Sequence, residues 1–517
     1  MIAGRDEKRA AAFCRDLPRA QPLRLDRDGD LAAALAQHRP DLLVDASGPF
    51  QHYGAEPYRV AKACLAQGID YLDLADSRAF VAGIASLDAE ARQAGVALLS
   101  GVSTLPALSF AALRRIAHDL KPESVTIGIA PSPFAGIGLN VVRALAAYAG
   151  KPVPVGPQRS APALIDSRRL VVAPPGALPL HARRFVLCDV PDLALLPQRW
   201  PSLQAAWVGA GTLPAGLQRC ASFAAWLVRL RLLPSLVPFA RLYHWTTRHL
   251  RWGEHRGGMV VAVTGRDAQG RSVQRSWHLV AEADNGPWIP SMAAAAVVRR
   301  RLSGRRPEAG ARAATEALDL DDFAPFFAER GIVTGTRESR DREPLFRRVL
   351  GPAFDLLPQP VQRLHSLNGI RELSGRATVE RGRALLSRLI GRLIDLPRAG
   401  TDLPARVVIS ASPQGEIWER SIGSGRFRSH LREGSGSEAH LLVERFGLAT
   451  MTMALVREGE RLAYVVRGWR FLGLPMPRRL APTGRTFERA DGDRFHFDVE
   501  IRLPFAGLLA RYRGWLA

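Results

Sequence analysis

The chain has 517 residues, of which 47% are hydrophobic and 23% are charged. One hydrophobic core rarely serves so long a chain, so we expect two or three domains with the composition of an ordinary folded protein. The four cysteines are far apart and form no C-x-x-C pair, which argues against a disulfide framework and a zinc site. A cytoplasmic location fits this cysteine usage, and the polar residues that follow Met1 do not form a signal peptide.

The formal net charge of +22 raises the question of nucleic-acid binding. Lysine occurs at only four positions, so arginine supplies 67 of the 71 basic residues, and these arginines are spread along the whole chain. The sequence contains neither a dense basic tract nor a module of basic and aromatic residues. We therefore interpret the charge mainly as arginine-rich codon usage and predict no nucleic-acid partner, although such a charge favours anionic surfaces.

Residues 41–76 read as a strand, a tight turn, a helix and a second strand. Apolar runs at 42–44 and 69–74 flank an amphipathic segment at 55–67, which makes one βαβ unit. Ligands of such sheets lie beyond the carboxyl ends of the strands. This rule places a cofactor beside the turn residues Ser47, Gly48, Pro49 and Phe50.

The first residues predict the end of a strand followed by a helix. Arg5 follows an Ala-Gly step, where dinucleotide folds discriminate at the ribose, and an arginine there accommodates a 2′-phosphate. Arg5 thus favours NADP over NAD, whereas the neighbouring Asp6 leaves NAD open. The alternative is an ordinary exposed arginine in a turn.

A dinucleotide fold places its first strand and a glycine-rich turn about 20 residues before the discriminating residue. Only four residues precede Arg5. The strand in question would be central, between the strand ending at Arg5 and the strand at 42–47, so we expect a gap in the sheet. We hypothesise that the start codon is misassigned and that the missing piece is encoded upstream in frame, which the upstream DNA would test.

Further along, a helix at 30–37, a helical stretch to about residue 94 and a strand at 96–99 follow the same alternation. Strands and helices that alternate at this spacing predict a Rossmann-like, parallel, doubly wound sheet. The motif GVSTLP at 101–106 comes directly after the last of these strands and leads into another helix.

These motifs carry a resemblance to a known family. The series AGR, DASGPFQHYG, GIDYLDL and GVSTLP resembles the NADP-binding domain of the saccharopine dehydrogenase-like family, which includes trans-acting enoyl reductases. The segments GGMVVAVTGRDAQGRS and DNGPWIPSMAAAAVVRRRLSG resemble that family's second domain and its returning helix. The resemblance covers roughly residues 1–335 and implies an oxidoreductase that uses NADP.

The resemblance also implies positions for the cofactor and for catalysis. Asp73 lies at one strand end and is a candidate for both roles, with a turn or capping acid as the alternative. Tyr53 is a candidate proton donor, because a phenol can protonate a reduced carbonyl or imine, although packing is the commoner role. The residues implied in cofactor binding are Arg5, Ser47, Gly48, Pro49, Phe50, Asp73, Ser103, Thr104 and Pro106.

Residues 203–249 form an apolar stretch interrupted by arginines and containing three tryptophans. No run reaches the ~18 uncharged apolar residues that a membrane-spanning helix requires. Tryptophan and arginine on apolar helices suit a peripheral position at a membrane surface, such as the inner membrane. Core helices or the interface of a homodimer are the alternatives.

A charged run at 337–342 is the predicted linker to a third domain at 344–517. There, short strands separated by glycine and charged turns predict an antiparallel β domain. The segments HSLNGIRELSGRATVERG, EIWERSIG and YRGWL resemble an uncharacterised bacterial domain of unknown function. Trp418, Phe427, Trp469 and Phe471 either line an apolar cavity in a curved sheet or form plain core.

Alternation in HFDVEIRL places His496, Asp498 and Glu500 on one strand face and Phe497, Val499 and Ile501 on the other. We interpret the polar face as solvated rather than as a metal site, and we predict no metal.

The sequence thus predicts three domains: 1–121, a Rossmann-like NADP-binding domain; 122–335, an α+β second domain; and 344–517, mainly antiparallel β. Hydrolase motifs such as a nucleophile elbow, a P-loop or HExxH are missing. We expect an NADP-dependent oxidoreductase that transfers a hydride to a C=N, C=O or C=C bond of a small or lipid-like substrate. The alternative is a non-catalytic membrane-surface adaptor or a carrier of apolar ligands.

Overall fold

The computed structural model describes residues 1–212, 214–339, 343–367, 370–393, 396–412 and 415–517. The chain forms two compact units. Unit 1 consists of Met1–Arg168, Arg184–Ser272 and Ala281–Ile332, and unit 2 consists of Arg169–Arg183, Val273–Val280 and Val333–Ala517.

Strands and helices alternate through the first 120 residues, as the sequence predicts. They are β1 (Ile2–Gly4), α1 (Glu7–Cys14), β2 (Pro22–Arg24), α2 (Leu31–His38), β3 (Leu42–Asp45), α3 (Arg59–Ala66), β4 (Asp70–Asp73), α4 (Arg78–Gly83), α5 (Asp88–Ala94), β5 (Ala97–Ser100) and α6 (Ser109–Ile116).

The strands β3, β4 and β5 are parallel neighbours, so the predicted parallel sheet with helices is confirmed. Leu98 on β5 and Tyr71 on β4 pack in one core with Leu31 and Leu35 of α2. β1 and β2 pair in parallel with each other in a separate two-stranded sheet. Among the described residues β3 forms an edge, and its Val44 is 41% exposed. In the described part of the chain β1 and β2 thus do not pair with β3, and the gap expected between them stays a prediction.

Residues 121–332 supply the rest of unit 1 together with parts of unit 2. The elements are β6 (Lys121–Ala130), α7 (Leu139–Tyr148), β7 (Pro152–Gly156), β8 (Arg159–Pro162), β9 (Ser167–Leu170), β10 (Arg183–Leu187), α8 (Asp192–Arg199), β11 (Ala205–Ala210), α9 (Ala215–Arg229), α10 (Ala240–His249), β12 (Gly257–Arg266), β13 (Ser272–Ala281), α11 (Ile289–Leu302), β14 (Gly310–Ala313) and α12 (Leu320–Glu329).

In this part of unit 1, β6 is the central strand. It pairs in parallel with β11 and antiparallel with β12. The chain then returns to the first sheet, because β14 pairs in parallel with β5. Arg306, between α11 and β14, donates to the buried carboxylate of Asp70 with its Nε 2.8 Å from Oδ2, which ties the returning segment to the start of β4.

The C-terminal part of the chain is mainly antiparallel β, as predicted. Its elements are β15 (Ile332–Ser339), α13 (Leu345–Leu350), α14 (Gln359–His365), β16 (Ile370–Arg381), α15 (Leu385–Leu393), β17 (Gly400–Ser412), β18 (Gly415–Ile422), β19 (Gly425–Glu433), β20 (Leu442–Phe446), β21 (Ala449–Glu458), β22 (Arg461–Phe471), β23 (Leu474–Pro475), β24 (Thr486–Asp491), β25 (Arg494–Leu503) and β26 (Gly507–Leu516).

The strands of this region close into a ring. From β16 to β22 each strand pairs with the next along the chain, and β24, β25 and β26 continue the series from β22. The ring closes because β26 pairs with β16. The side chains that point inward form one core with α13 and α14, to which Phe346 and Leu364 contribute.

The predicted linker at 337–342 is only partly described, since residues 340–342 lie outside the described residues. Arg337, which the sequence assigned to the linker, instead belongs to β15. It is buried on β15, and its guanidinium donates to the carbonyl oxygens of Ala173 at 2.7 Å and Val349 at 2.8 Å. Burial lowers the pKa of Arg337 to about 10, and these two carbonyls stabilise the buried charge.

Candidate functional site

The candidate site is built from three turns at the carboxyl ends of β3, β4 and β5. Because these strands are parallel neighbours, their ends meet at one edge of the sheet. Backbone bonds join the ends: Leu74 N donates to Asp45 O at 3.2 Å, and Val102 N donates to Asp73 O at 2.8 Å. The turn residues predicted from the sequence after β3, β4 and β5 are thus brought to one edge.

The turn after β3 is organised by Asp45. This buried carboxylate accepts bonds from the Ser47 backbone nitrogen at 2.9 Å and from the Ser47 hydroxyl at 2.6 Å. The Tyr53 hydroxyl lies 2.8 Å from Ser47 Oγ and 3.2 Å from Asp45 Oδ2. The peptide bond between Gly48 and Pro49 is cis. Asp45, Ser47 and Tyr53 therefore form one hydrogen-bonded cluster.

Burial raises the pKa of Tyr53 to about 12, so its phenol stays protonated across the physiological range. The guanidinium of Arg27 lies 3.6 Å from the centre of the Tyr53 ring, a cation–π contact. Arg27 and Tyr53 also border a cavity of about 280 Å³, whose wall includes Glu56 and Arg59. A protonated phenol beside a cavity can donate a hydrogen bond or a proton to a bound molecule.

Phe50 is buried and belongs to an aromatic cluster beneath this turn. Its ring centre lies 5.1 Å from that of Phe80 and 4.8 Å from that of Tyr53, and Tyr58 packs on Phe80 at 5.0 Å. Such tilted aromatic pairs fix ring positions as well as burying apolar area. The cluster thus packs against the turn after β3 and stabilises it.

Asp73, the last residue of β4, is fully buried. Its Oδ1 accepts three bonds, from Gly101 N at 2.8 Å, Ala75 N at 3.0 Å and the Ser100 hydroxyl at 3.0 Å. Its Oδ2 has no hydrogen-bond partner among the described residues. Burial raises the pKa of Asp73 to about 7, although the hydrogen bonds from these three donors act in the opposite direction. Asp73 therefore holds the turn after β5 against the end of β4.

The turn after β5 contains the predicted residues Ser103, Thr104 and Pro106. Gly101 has a φ of +73°, and a Cβ at this position would lie 2.5 Å from Cδ of Pro106. Glycine is therefore required here both by the backbone conformation and by the close approach of the proline. The peptide bond between Leu105 and Pro106 is cis.

Arg5 lies apart from these turns in the sheet order. It follows β1 in the two-stranded sheet and is exposed. The residues predicted from the sequence to bind NADP thus fall into two places, the turns after β3, β4 and β5 and the exposed Arg5 after β1. No glycine-rich turn for a pyrophosphate is found between them in the described part of the chain. The fit to NADP is therefore partial, with Arg5 at one end and the β3 to β5 turns at the other.

Sequence reasoning missed Asp45, Ser100 and Arg27. Asp45 had a local signal, because an aspartate two residues before a serine is typical of a turn in which the side chain caps the backbone. The contacts of Ser100 with Asp73 and of Arg27 with Tyr53 join residues 26 or 27 positions apart, and the sequence has no signal for them.

A second candidate site lies inside the ring of unit 2. His365 is fully buried, with its Nε2 2.7 Å from Glu488 Oε2, and the Tyr464 hydroxyl donates to Glu488 Oε1 at 2.7 Å. Nearby, Trp418 Nε1 donates to Glu416 Oε2 at 2.8 Å. His365 Nδ1 and Glu416 Oε1 are buried and have no partner among the described residues.

The ring also contains inward-facing apolar side chains that remain partly exposed. The alternation predicted for β25 is confirmed, since Phe497, Val499 and Ile501 pack against the core. Burial raises the pKa of Tyr464 well above its ordinary value, yet part of this side chain is accessible. Phe427 and Val466 are likewise inward-facing and only partly buried.

Of the four aromatic residues predicted to line a cavity or form core, two do not belong to the buried core. Trp418 is buried and Phe427 packs against the same core. Trp469 instead donates through Nε1 to Pro477 O at 3.1 Å, and Phe471 is 43% exposed near the end of β22.

On the polar face of β25, the Asp498 carboxylate accepts two bonds from Arg511, at 2.9 and 2.7 Å.

Two domain families match the chain. Residues 1–99 match the saccharopine dehydrogenase NADP binding domain, and residues 357–516 match a domain of unknown function, DUF4166. The resemblances predicted from the sequence are thereby confirmed for these two segments. No curated protein matches the chain.

Solved structures show weaker likenesses. Saccharopine dehydrogenase (L-Glu forming) from Saccharomyces cerevisiae is 14% identical, with 65% of this chain and 93% of that chain covered and a TM-score of 0.46. Amine dehydrogenase from Mycobacterium smegmatis is 12% identical, covering 61% and 87%, with a TM-score of 0.30. Rv2717c from M. tuberculosis is 15% identical, covering 31% and 97%, with a TM-score of 0.20. At these scores no functional conclusion follows from them.

The sequence motifs, the parallel strand ends of the first sheet and the antiparallel ring agree with the two family matches. The chain carries a saccharopine dehydrogenase NADP binding domain at its N-terminal end and a DUF4166 domain at its C-terminal end.

Proposed function

We propose that the protein is an NADP-dependent oxidoreductase that reduces a C=N, C=O or C=C bond of a small or lipid-like molecule. The observation that carries this proposal is the match of residues 1–99 to an NADP-binding domain. When bound, a nicotinamide cofactor supplies the hydride. The protein binds and orients the cofactor and the substrate, and it excludes water from them.

The turns of the first sheet support this proposal by position. Ser47 to Phe50, Asp73 and Ser103 to Pro106 lie at the carboxyl ends of adjacent parallel strands, the edge at which such folds bind ligands. Tyr53 offers a protonated phenol beside the turn after β3, with Ser47 and Asp45 fixing its position. We assign Tyr53 as a candidate proton donor and Asp73 as a positioning residue for the turn after β5.

Titration of the protein with NADPH, followed by the fluorescence of the nicotinamide, tests the proposal. We expect saturable binding that is tighter for NADPH than for NADH, because Arg5 favours a 2′-phosphate. The same titration is made on a chain lengthened by any in-frame upstream strand and glycine turn. If neither chain binds NADPH saturably, the proposal is overturned.

The interior of the ring supports a second candidate function, the carriage of an apolar ligand. The specific observation is a set of side chains, such as Tyr464, Phe497 and Val499, that pack against the core of the closed sheet and yet stay partly accessible. Ligand sites are typically apolar with a few polar groups that orient the ligand. His365 Nδ1 and Glu416 Oε1, which lack partners among the described residues, are candidates for these polar groups.

Binding of the fluorescent probe 1-anilinonaphthalene-8-sulfonate tests this candidate. We expect the probe to bind inside the ring, with Val499→Trp weakening its binding at least about tenfold because the larger side chain fills the space. His496→Trp is the matched control, because residue 496 lies on the opposite face of the same strand. Equal binding by both variants would count against a ligand inside the ring.

A further inference from the structure

The segment from α9 to residue 252 exposes an unusual set of apolar side chains. Of the described residues between 223 and 252, ten large hydrophobic side chains are exposed. They are Phe223, Trp226, Leu230, Leu232, Val237, Phe239, Leu242, Trp245, Leu250 and Trp252. Large exposed apolar patches mark interaction sites on folded proteins. We call residues 215–252 the α9–α10 surface.

On α9 the exposed apolar residues form one stripe. Phe223 is 62% exposed and Trp226 is 46% exposed, and Leu230 follows at the end of the helix. Spacings of three and four residues place these side chains on one face of a helix. The opposite face carries Ala225, which is fully buried. The apolar stripe of α9 therefore points away from the protein.

On α10 the arrangement is the same. Leu242 and Trp245 are exposed, the latter by 55%, whereas Ala240 is buried. Exposed arginines flank the stripe, with Arg241 at the start of the helix and Arg248 in its last turn.

Both helices pack on the same neighbour through alanine. Ala225 of α9 packs beside Ala149, at the end of α7, and Ala240 of α10 packs against Val142 and Ala146 of α7. Gly150 permits the close approach of α9, because a Cβ there would lie 2.5 Å from Ala225 O. The exposed stripes of α9 and α10 thus both lie on the sides of the helices turned away from α7.

The charge of this surface has one sign. Residues 215–252 contain six arginines and no aspartate or glutamate. The arginines are Arg219, Arg229, Arg231, Arg241, Arg248 and Arg251. Arg251 is partly buried and interacts electrostatically with Asp284, whereas none of the ion pairs in the described part of the chain involves the other five. A segment with six arginines, no acidic residue and exposed tryptophan and leucine is complementary to an anionic lipid surface.

We propose that the α9–α10 surface binds the surface of an anionic lipid bilayer. Phe223, Trp226 and Trp245 enter the boundary between head groups and acyl chains, and the flanking arginines contact lipid phosphates. None of the described helices is long and apolar enough to cross a membrane. The helices lie in the plane of the interface instead.

A second copy of the chain is a poorer occupant. A twofold contact brings the same surface of both copies together. Here such a contact would set six arginines against six arginines, with no acidic residue in the segment to offset the repulsion. Anionic phospholipid head groups supply the missing negative charge.

Co-sedimentation of the full chain with vesicles tests the proposal. We expect strong binding to vesicles with 30% phosphatidylglycerol, weak binding to pure phosphatidylcholine, and weakening as salt rises. A variant with Phe223→Ser, Trp226→Ser and Trp245→Ser should lose at least about tenfold in partitioning. Each of Arg229→Gln and Arg241→Gln should lower it about fivefold. All five substitutions are at exposed positions, so folding should survive.

Matched controls replace exposed residues elsewhere. Leu302→Ser and Phe505→Ser remove apolar side chains that are 84% and 80% exposed, and Arg15→Gln and Arg19→Gln remove exposed charges near α1. These variants should bind like the unchanged protein. The proposal is overturned if anionic vesicles are not bound at low salt, or if the serine variant binds them normally. It is also overturned if that variant only converts a dimer to a monomer in sedimentation velocity.

Discussion

Gly101 donates its backbone N–H to the carboxylate of Asp73 across 2.8 Å, and this bond joins the turn after β5 to the end of β4. The acceptor is fully buried, and the donor adopts a backbone conformation that favours glycine. Because the turn carries Ser103 to Pro106, the position of these candidate cofactor contacts depends on one buried acid and one glycine.

Asp73→Asn should make stability less dependent on pH. Burial raises the pKa of Asp73 from 3.8 to about 7, so between these values the unfolded chain loses a proton that the folded chain keeps. The stability that protonated Asp73 contributes is therefore full below about pH 4. It falls as the pH rises from 4 to 7, at roughly 1.4 kcal/mol per pH unit. Scanning calorimetry at pH 5 and pH 8 should show a smaller difference for the variant.

Asp192 adds a pH effect of the same sign, since burial raises its pKa to about 7 as well. Asp73→Asn should therefore remove only part of the dependence, and Asp73→Asn with Asp192→Asn should remove more. Identical pH profiles for the unchanged protein and both variants would contradict the assignment.

Gly101→Ala should destabilise unit 1 and weaken NADPH binding. The new Cβ would meet Pro106 Cδ at 2.5 Å and Val81 Cγ1 at 3.2 Å, so the turn must shift. We expect a cost of roughly 2 to 4 kcal/mol. Gly95→Ala is the matched control, because Gly95 has a similar φ of +65° and nothing within 4 Å of its Cβ. It should cost about 1 kcal/mol in thermal unfolding. Equal costs would show that contact with Pro106 does not matter.

Arg5→Ser should lower affinity for NADPH more than affinity for NADH. A charge-assisted bond to a 2′-phosphate contributes about 1.5 to 3 kcal/mol, so we expect a loss of at least tenfold for NADPH in fluorescence titration. Arg9→Ser provides the control, because Arg9 is an exposed arginine on α1 that pairs with Asp6. If Arg5→Ser changes the two affinities equally, Arg5 does not select the phosphate.

His365→Phe should destabilise unit 2 strongly. The phenylalanine can still stack on Phe346, whose ring centre lies 3.5 Å from that of His365, but Glu488 loses its contact with His365 Nε2 at 2.7 Å. Removing one partner of a buried polar pair costs roughly 3 to 5 kcal/mol. His496→Phe, on the outer face of β25, should cost under about 1 kcal/mol in calorimetry. Similar unfolding temperatures for both variants would contradict a structural role for the His365–Glu488 contact.

The sequence was sufficient for features that depend on local periodicity. The continuous apolar run at 42–44 predicted β3. The alternation in HFDVEIRL predicted the two faces of β25, because successive side chains of a strand point to opposite faces. Strands β16, β19, β24 and β26 were not predicted. Their many arginine, glycine and glutamate residues hide the pattern, for example in IRELSGRATVER, where Ala377 and Val379 are the buried residues.

Closure of the ring could not be predicted from the sequence, because it depends on pairing between β16 and β26, which are more than 100 residues apart. The same holds for the candidate site. Ser47 was predicted from the strand-end rule and Asp73 from the resemblance, whereas the bond from Ser100 to Asp73 depends on how two strands register. The local sequence thus indicates where a residue lies in the fold, but it does not indicate which distant side chains that residue contacts.

The ring of unit 2 closes through β26, so its assembly awaits the synthesis of residues 507–516. Until those residues leave the ribosome, β16 and β25 each present an unpaired edge to other chains. Unpaired edges are templates for aggregation. A chain that terminates before residue 507 should therefore accumulate as insoluble protein or be degraded.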